Sequence, residues 1–255
     1  PIERHVGIIN TGAGTYDQQH LETVGYDLQY DNVYFIEPDT GNTTSLETVN
    51  TSSSDSEDIG TYENPATLNQ TTLDAINTQS PDGARIYIQG GSNANYYIDS
   101  TTAEQTDSPN NDYGLALYSN QDVYGQSADY TAPASSDAQP QILVDGENNY
   151  NGFIITGTEN TISDLTITTQ SGYINGSTPT TSTGILAYNE SATADQTVNI
   201  INTNISGFAD GMYAQNESST GTMTLNITGS ALDNNGGDQG LSNIQVRGYD
   251  NYGSA

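Results

Sequence analysis

A glycine followed by an apolar residue recurs in the second half of the chain, at intervals of roughly 30 residues. The four pairs are Gly152-Phe153, Gly184-Ile185, Gly211-Met212 and Gly240-Leu241. Strand-like segments rich in asparagine and threonine follow the first three pairs, at residues 160–168, 197–207 and 222–234. A period of this size is typical of repeat proteins, in which each unit buries its apolar side only by stacking on the next unit.

The repeat predicts an all-β fold, a right-handed parallel β-helix (a solenoid) whose coils stack in register. Aliphatic side chains of successive coils are expected to lie over one another: Ile162, Leu165 and Ile167 over Ile200, Ile201 and Ile205, and these over Leu225 and Ile227. Asparagine and threonine at equivalent turns are expected to form hydrogen-bonded ladders between coils. The alternative is an antiparallel β-sandwich, which requires hairpin turns about every 8–12 residues.

The composition agrees with a slender core and excludes several kinds of partner. Hydrophobic residues are only 33% of the chain, which suits the narrow interior of a solenoid. The net charge is −29, so the chain repels the phosphates of nucleic acids and of anionic lipids, and no nucleic-acid partner is expected. No cysteine is present, which excludes disulfides and thiolate catalysis. No apolar run approaches the roughly 18 residues of a membrane span, so direct membrane insertion of this fragment is not expected.

The chain divides into three predicted segments. Residues 1–59 are predicted to contain N-terminal strands, at 5–10 and 30–39, followed by a polar linker. Residues 60–112 are predicted to contain a capping helix and the first strands. Residues 113–255 are predicted to form the coils of the β-helix, with the chain expected to be truncated within the solenoid at its C-terminus.

One short helix is predicted in the middle segment. Leu68, Leu73 and Ile76 fall near helical spacing, and Asn69 is the expected N-cap. A Ser-Pro-Asp-Gly turn then ends the helix before a strand at 85–89. Because an open solenoid end exposes strand edges and core, the apolar side of this helix is expected to cover the N-terminal end of the coils.

The order of motifs in residues 1–140 resembles a known family. The segments are "PIERHVGIINTGAG", "DNVYFIEPD", "GTYENPATL" followed by an Ala-Ile helix, "ARIYIQGG" and "GLALYSNQDVYGQ". This order resembles the inverse autotransporters (intimin/invasin-like bacterial surface proteins) whose passenger is a pectate-lyase-like β-helix. The resemblance implies a passenger at the cell surface, in the extracellular space, attached to the outer membrane through a β-barrel that this sequence does not contain. It also implies an adhesin that binds a glycan or protein of a host cell or neighbouring cell, and it carries over no catalytic residues.

A carbohydrate-processing enzyme, such as a polysaccharide lyase, a hydrolase or a tailspike-like protein, is the alternative function. A lyase needs a basic residue near its substrate, and Arg247 is the only candidate within the predicted coils. A hydrolase needs two carboxylates on either side of a glycosidic bond. The coils offer several acids, none in a diagnostic motif: Asp145, Glu147, Asp164, Asp210, Asp233 and Asp238. A non-enzymatic binding protein is therefore the preferred interpretation, and a groove lined with two carboxylates would favour the enzyme.

Tyrosine is the residue type that best suits a binding surface in this chain. It combines an apolar ring with a polar hydroxyl, which favours sugar stacking and protein interfaces. The predicted ligand-binding residues are Tyr96, Tyr97, Tyr113, Tyr118, Tyr124 and Tyr130. The alternative for these rings is ordinary packing of half-buried strands.

Two Asn- and Gly-rich segments, "DGENNYNG" and "DNNGGDQG", gather oxygen ligands of the kind that calcium prefers. The predicted metal ligands are Asp145, Glu147, Asp233 and Asp238. Neither segment has EF-hand spacing, and an Asn/Gly-rich turn without metal is the alternative. No cofactor other than calcium is predicted.

Overall fold

A computed structural model of the chain describes residues 32–38, 60, 65–105, 113–145, 150–170, 182–190, 193–233, 235 and 243–248. In chain order its elements are β1 (Val33–Ile36), α1 (Gln70–Gln79), β2 (Ala84–Gln89), β3 (Asn95–Ile98), β4 (Glu104–Gln105), β5 (Tyr113–Leu117), β6 (Gln121–Gln126), β7 (Gln141–Val144), β8 (Tyr150–Ile155), β9 (Glu159–Ser163), β10 (Thr166–Thr169), β11 (Thr183–Asn189), β12 (Gln196–Ile201), β13 (Asn204–Ser206), β14 (Asp210–Asn216), β15 (Met223–Thr228), β16 (Ala231–Asp233) and β17 (Ile244–Gly248).

The strands form three sheets. Sheet A has the order β1-β2-β6-β9-β12-β15, sheet B the order β16-β13-β10-β7-β3, and sheet C the order β17-β14-β11-β8-β5-β4. Neighbouring strands run parallel, except β4 and β5, which are antiparallel. From β2 onward, successive strands visit sheets A, B and C in turn. The described residues therefore form an all-β, solenoid-like stack of coils, and the parallel pairing excludes the antiparallel sandwich.

The stack begins earlier than the sequence predicted. Strands β1, β2 and β3 already belong to sheets A and B, whereas the coils were predicted to begin at residue 113. The predicted strands at 30–39 and 85–89 are present as β1 and β2. The strand predicted at 5–10 lies outside the described residues.

The recurring glycines occupy one position in successive coils. Ile185 pairs with both Phe153 and Met212, so the glycines before these three residues are stacked in sheet C. A Cβ atom at Gly152 would lie 2.2 Å from the carbonyl oxygen of Gly184. The repeat is therefore steric in origin, since the backbone of the next coil passes too close for any side chain.

The pairing of the sheet C strands changes the predicted series of glycines at both of its ends. Leu115 pairs with Phe153, so the Gly-apolar pair Gly114-Leu115 extends the series by one coil, with an irregularity in the β5–β8 pairing between Tyr113 and Leu115. At the other end Ile244 pairs with Met212, which places Asn243 at the glycine position. The prediction of Gly240 for that position was wrong. The connection from β16 (ending at Asp233) to β17 (beginning at Ile244) is longer than the connection from β13 to β14 in the preceding coil.

The core consists of aliphatic columns that run through the coils. Ile162 pairs with Ile200 and Ile167 with Ile205, as predicted, and all four are fully buried. Ile200 also pairs with Ile227, which confirms the next predicted layer.

Two predicted core contacts were wrong. Ile201 pairs with Ser163, not Leu165, and is 40% exposed on the outer face of sheet A. Leu225 pairs with Val198. The reason is the two-residue alternation of strands, because an inward Ile200 forces its neighbour Ile201 outward.

Polar side chains bridge the coils as predicted. Asn226 Nδ2 donates to Asn199 Oδ1 at 2.8 Å, and Asn202 Nδ2 donates to Asp164 Oδ1 at 2.6 Å. Asp164, Asn202 and Gly229 each follow a sheet A strand and have φ of 60°, 47° and 63°. This left-handed conformation, which Asn, Asp and Gly tolerate best, turns the chain from sheet A to sheet B.

The predicted helix and its N-cap are confirmed. The Asn69 side chain accepts a hydrogen bond from the Thr72 backbone nitrogen at 2.8 Å, and α1 begins at the next residue, Gln70. Leu73 and Ile76 are fully buried in the same core cluster as the strand residues. Gln70 Oε1 accepts a hydrogen bond from the Ala116 backbone nitrogen at 2.7 Å, so a side chain of α1 pairs with a backbone N–H of β5. The helix therefore covers the N-terminal end of the stack.

Candidate binding face

The outer face of sheet A carries a column of aromatic rings. Phe35, Tyr87 and Tyr124 occupy the same position on β1, β2 and β6. Their ring centroids are 5.7 Å apart between the first two and 5.9 Å apart between the last two, in edge-to-face geometry. Phe35 is 9% exposed, and both tyrosines are half-buried. We call these three residues the aromatic column.

Tyr130 closes one side of the aromatic column. Its ring lies 5.1 Å from that of Phe35, and its hydroxyl donates to the Ile36 carbonyl oxygen at 2.7 Å. The turn that carries it is held by Asp129 Oδ1, which accepts from the Ser127 and Thr131 hydroxyls at 2.7 Å each. Only 7% of Tyr130 is exposed, so this ring positions the column more than it presents a surface of its own.

A polar column runs beside the aromatic one. Arg85 and Asp122 pair on β2 and β6, and Asp122 Oδ1 accepts from the Thr161 backbone nitrogen of β9 at 2.7 Å. The Tyr124 hydroxyl donates to Asp122 Oδ2 at 3.3 Å. The two columns are thus joined by a hydrogen bond between a ring hydroxyl and a carboxylate.

Burial and neighbouring charges shift the pKa of both partners in this contact. Burial raises the pKa of Asp122, and hydrogen bonds from Thr161 and Tyr124 and the charge of Arg85 oppose part of that shift. Burial and the neighbouring Asp122 charge raise the pKa of Tyr124 to about 12. At neutral pH Tyr124 therefore keeps its proton and acts as a hydrogen-bond donor.

Toward the later coils the same face becomes purely polar and aliphatic. The polar column continues to Asn199 and Asn226, whose side chains pair directly. The position of the aromatic column continues to Ser163, Ile201 and Thr228. Sheet A therefore offers ring surfaces at one end and amide and hydroxyl groups at the other, which together can hold a molecule rich in both C–H surface and hydroxyl groups.

The six predicted ligand-binding tyrosines do not share one surface. Tyr124 and Tyr130 belong to the aromatic column and its flank. Tyr96 points into the core of sheet B, where it is 3% exposed and donates to the Gln89 carbonyl oxygen at 2.8 Å. Burial raises its pKa well above the usual value. Tyr96 therefore has a packing role.

The other three tyrosines lie elsewhere on the molecule. Tyr97 and Tyr113 are 47% and 42% exposed on sheets B and C, and the Tyr118 hydroxyl donates to Asp74 of α1 at 2.7 Å. Sequence reasoning missed Phe35 and Tyr87. Their alternation with isoleucine in "VYFI" and "ARIYIQ" was a signal for outward-facing rings.

The predicted calcium ligands are only partly described. Glu147 and Asp238 lie outside the described residues, and Asp233 is exposed on β16. Asp145 follows β7, and its counterpart in the preceding coil is Asp99, whose Oδ1 already accepts from Thr101. In the part of the chain that the structure describes, no three His, Asp or Glu side chains group around a metal position. Calcium binding stays a prediction, which requires the melting temperature to fall when a chelator is added.

The two arginines of the described coils lie in different sheets, Arg85 in sheet A and Arg247 in sheet C. Arg247, exposed on β17, lies 5.4 Å from the centroid of the Tyr213 ring in a cation–π contact. Arg247 is the only arginine of the predicted coils at 113–255, and the observed stack adds Arg85 because β2 belongs to sheet A.

The chain was compared with protein-family models, curated proteins and solved structures. No family model, curated protein or solved structure matches the chain. Within the described ranges, no helix has the length and apolar character needed to cross a membrane. The resemblance to inverse-autotransporter passengers accordingly stays a prediction.

Proposed function

We propose that this chain is a non-enzymatic adhesin module, a right-handed parallel β-helix that displays a binding face outside a bacterial cell and attaches that cell to a host or neighbouring cell. The observation that carries the proposal is the aromatic column of Phe35, Tyr87 and Tyr124 on the outer face of sheet A. By the family resemblance, the module is the passenger of an outer-membrane autotransporter.

Tyr87 and Tyr124, the two half-buried members of the aromatic column, are not needed to complete the core. The residues that alternate with Tyr87, Ile86 and Ile88, are fully buried and fill the interior of β2. Tyr87 and Tyr124 belong to neither apolar cluster of the described residues. Two half-exposed rings on adjacent strands therefore favour contact with an external partner over a purely structural role.

The right-handed winding is supported by the general behaviour of parallel strands. Connections between parallel strands of one sheet are right-handed in about 98% of cases, because strand twist favours that path. The coils repeat such a connection from each sheet A strand to the next. A crystal structure with left-handed coils would contradict this part of the proposal.

The carboxylates near the face support binding over hydrolysis. Asp122 holds the Thr161 backbone and the Tyr124 hydroxyl, and Asp164 accepts from Ser163 and Asn202. Both carboxylates thus take part in hydrogen bonds between or within coils. A hydrolase would need two such groups directed at a substrate.

The test is an array of glycans and matrix proteins, probed with the chain of residues 1–255. We expect retention of at least one ligand, and its loss in the Tyr87→Ala/Tyr124→Ala double variant. The matched control is Tyr97→Ala/Tyr113→Ala, which removes two exposed rings from sheets B and C. Absence of any retained ligand would refute the adhesin proposal, and release of reducing sugar from a bound glycan would refute its non-enzymatic part.

A further inference from the structure

We propose that the outer face of sheet A binds an uncharged polysaccharide, which lies across the strands from the aromatic column toward the Asn199–Asn226 pair. This inference rests on the proposed function, since it names the ligand class of the same module. The six strands, at about 4.8 Å spacing, give a path of roughly 24 Å, long enough for several sugar residues.

The aromatic column supplies the apolar half of the recognition. Tyr87 and Tyr124 lie on adjacent strands with ring centroids 5.9 Å apart. A sugar ring has faces of C–H groups, and these pack on aromatic rings while the hydroxyls around the edge stay free for hydrogen bonds. Because Tyr130 and the strand ladder hold Phe35 and its neighbours in place, little side-chain freedom is lost on binding.

Polar groups on the same face supply hydrogen-bond donors and acceptors for the hydroxyls of a sugar. The Tyr87 hydroxyl makes no hydrogen bond among the described residues. In the asparagine pair, Asn226 Nδ2 donates to Asn199 Oδ1, which leaves the Asn199 amide nitrogen and the Asn226 amide oxygen for a ligand. Sugar hydroxyls can donate to the one and accept from the other.

Charge selects an uncharged ligand. The outward positions of the six sheet A strands carry one base, Arg85, and two acids, Asp122 and Glu159. With Asp164 directly after β9, the face carries one base and three acids, few charges for a chain whose net charge is −29. An anionic polysaccharide would be repelled by the molecule as a whole, and a cationic ligand would find more acid elsewhere on it.

Sheet B provides an internal comparison. Its outward positions are also nearly free of charge, with Asp233 on β16, but its exposed ring, Tyr97, has Leu143 as its counterpart on the next strand. A neutral face without adjacent rings is therefore present in the same molecule, and Tyr97→Ala is the matched control for ring removal.

The experiment measures affinity for laminarin and a soluble mannan as uncharged probes, for polygalacturonate as the anionic probe and for chitosan as the cationic probe. We expect binding to an uncharged probe that is unchanged between low and high salt. Tyr87→Ala and Tyr124→Ala should each weaken it roughly tenfold, while Tyr97→Ala leaves it unchanged. Tyr124→Phe, which keeps the ring, should weaken it only about two- to threefold. Unfolding curves of each variant confirm that the fold is intact.

The outcomes separate this inference from the adhesin proposal. If the array retains a protein or a charged glycan and no uncharged one, the module still binds but the ligand class is wrong. If an uncharged glycan is bound and Tyr97→Ala abolishes that binding while Tyr87→Ala and Tyr124→Ala do not, the assigned face is wrong. If nothing is retained by the array or by any of the four probes, both proposals fail.

Discussion

The two ends of the described stack differ in how well they bury the same core columns. At the N-terminal end, Leu73 of α1 and Ile36 of β1 are fully buried. In the last coil Val246 is 63% exposed, although its sheet C counterpart Ala214 is fully buried. The difference teaches that a coil is buried only when another element covers it on each side, which is the behaviour expected of a one-dimensional stack.

The candidate binding face lies at the better-buried end. The aromatic column is built on β1, β2 and β6, next to the helix that covers the stack. Binding groups on rigid, well-packed elements lose less entropy when a ligand binds. The contrast between the two ends is therefore a functional difference as well as a structural one, and substitutions at each end test it.

The largest effect is expected from removing an apolar side chain of the capping helix α1. Leu73→Ala should lower the free energy of unfolding by about 3 kcal/mol, because it leaves a cavity in a fully buried site. Val246→Ala, at the exposed end, should change it by less than about 0.5 kcal/mol. Urea denaturation of both variants gives the comparison, and equal losses would show that the two ends are equally packed.

The glycine column provides the next test. Gly152→Ala should lower the free energy of unfolding by about 2 kcal/mol, because the new Cβ would lie 2.2 Å from the Gly184 carbonyl oxygen. Gly248→Ala is the control in the last coil, where an added Cβ has nothing within 4 Å, and it should be nearly neutral. A stable Gly152→Ala variant would mean that the coils are not stacked as closely as described.

These glycines also show what could be predicted from the sequence. The column at Gly152, Gly184 and Gly211 was visible because a steric requirement repeats at a nearly regular interval. The capped helix was visible because an N-cap and its apolar spacing are local. The position of Asn243 was not, because connections between strands vary in length and only the pairing with Met212 sets the register.

The aromatic column was out of reach for the same reason. Phe35, Tyr87 and Tyr124 are far apart in sequence and lie in segments of unequal length. They meet because β1, β2 and β6 are neighbours in sheet A, which depends on the stacking of whole coils. Sequence reasoning therefore found Tyr124 as a candidate but grouped it with tyrosines from other faces.

A smaller effect should appear in the pH dependence of stability at two acids. Burial raises the pKa of Asp122 at the well-buried end, so its ionisation opposes folding. The free energy of unfolding of the native protein should therefore fall, relative to Asp122→Asn, as pH rises from about 4 through the raised pKa. At exposed Asp195, hydrogen bonds from Thr222 lower the pKa, so the native protein should gain stability relative to Asp195→Asn as pH rises toward about 4.

Urea denaturation between about pH 3 and pH 7 measures both differences. The signs are the test, since the two acids differ mainly in burial. If both variants changed the pH dependence in the same direction, burial at the capped end would not control the pKa of the carboxylate beside the aromatic column.

The smallest effect is a gain of stability at the exposed end. Gly229 has φ of 63°. Its counterparts in the two preceding coils, Asp164 and Asn202, have φ of 60° and 47°, so all three residues share the left-handed conformation. An added Cβ would have its nearest contact at 3.8 Å from Asn202, so there is room for a side chain. Gly229→Asn should raise the free energy of unfolding by about 0.5 kcal/mol, because asparagine tolerates this conformation and extends the hydrogen-bonded ladder by one coil. Gly229→Ala should instead lower it by about 1 kcal/mol, since alanine has the strain without the hydrogen bond. If Asn and Ala prove equally unfavourable in thermal or urea unfolding, the ladder does not stabilise the last coil, and the contrast between the ends comes from apolar burial alone.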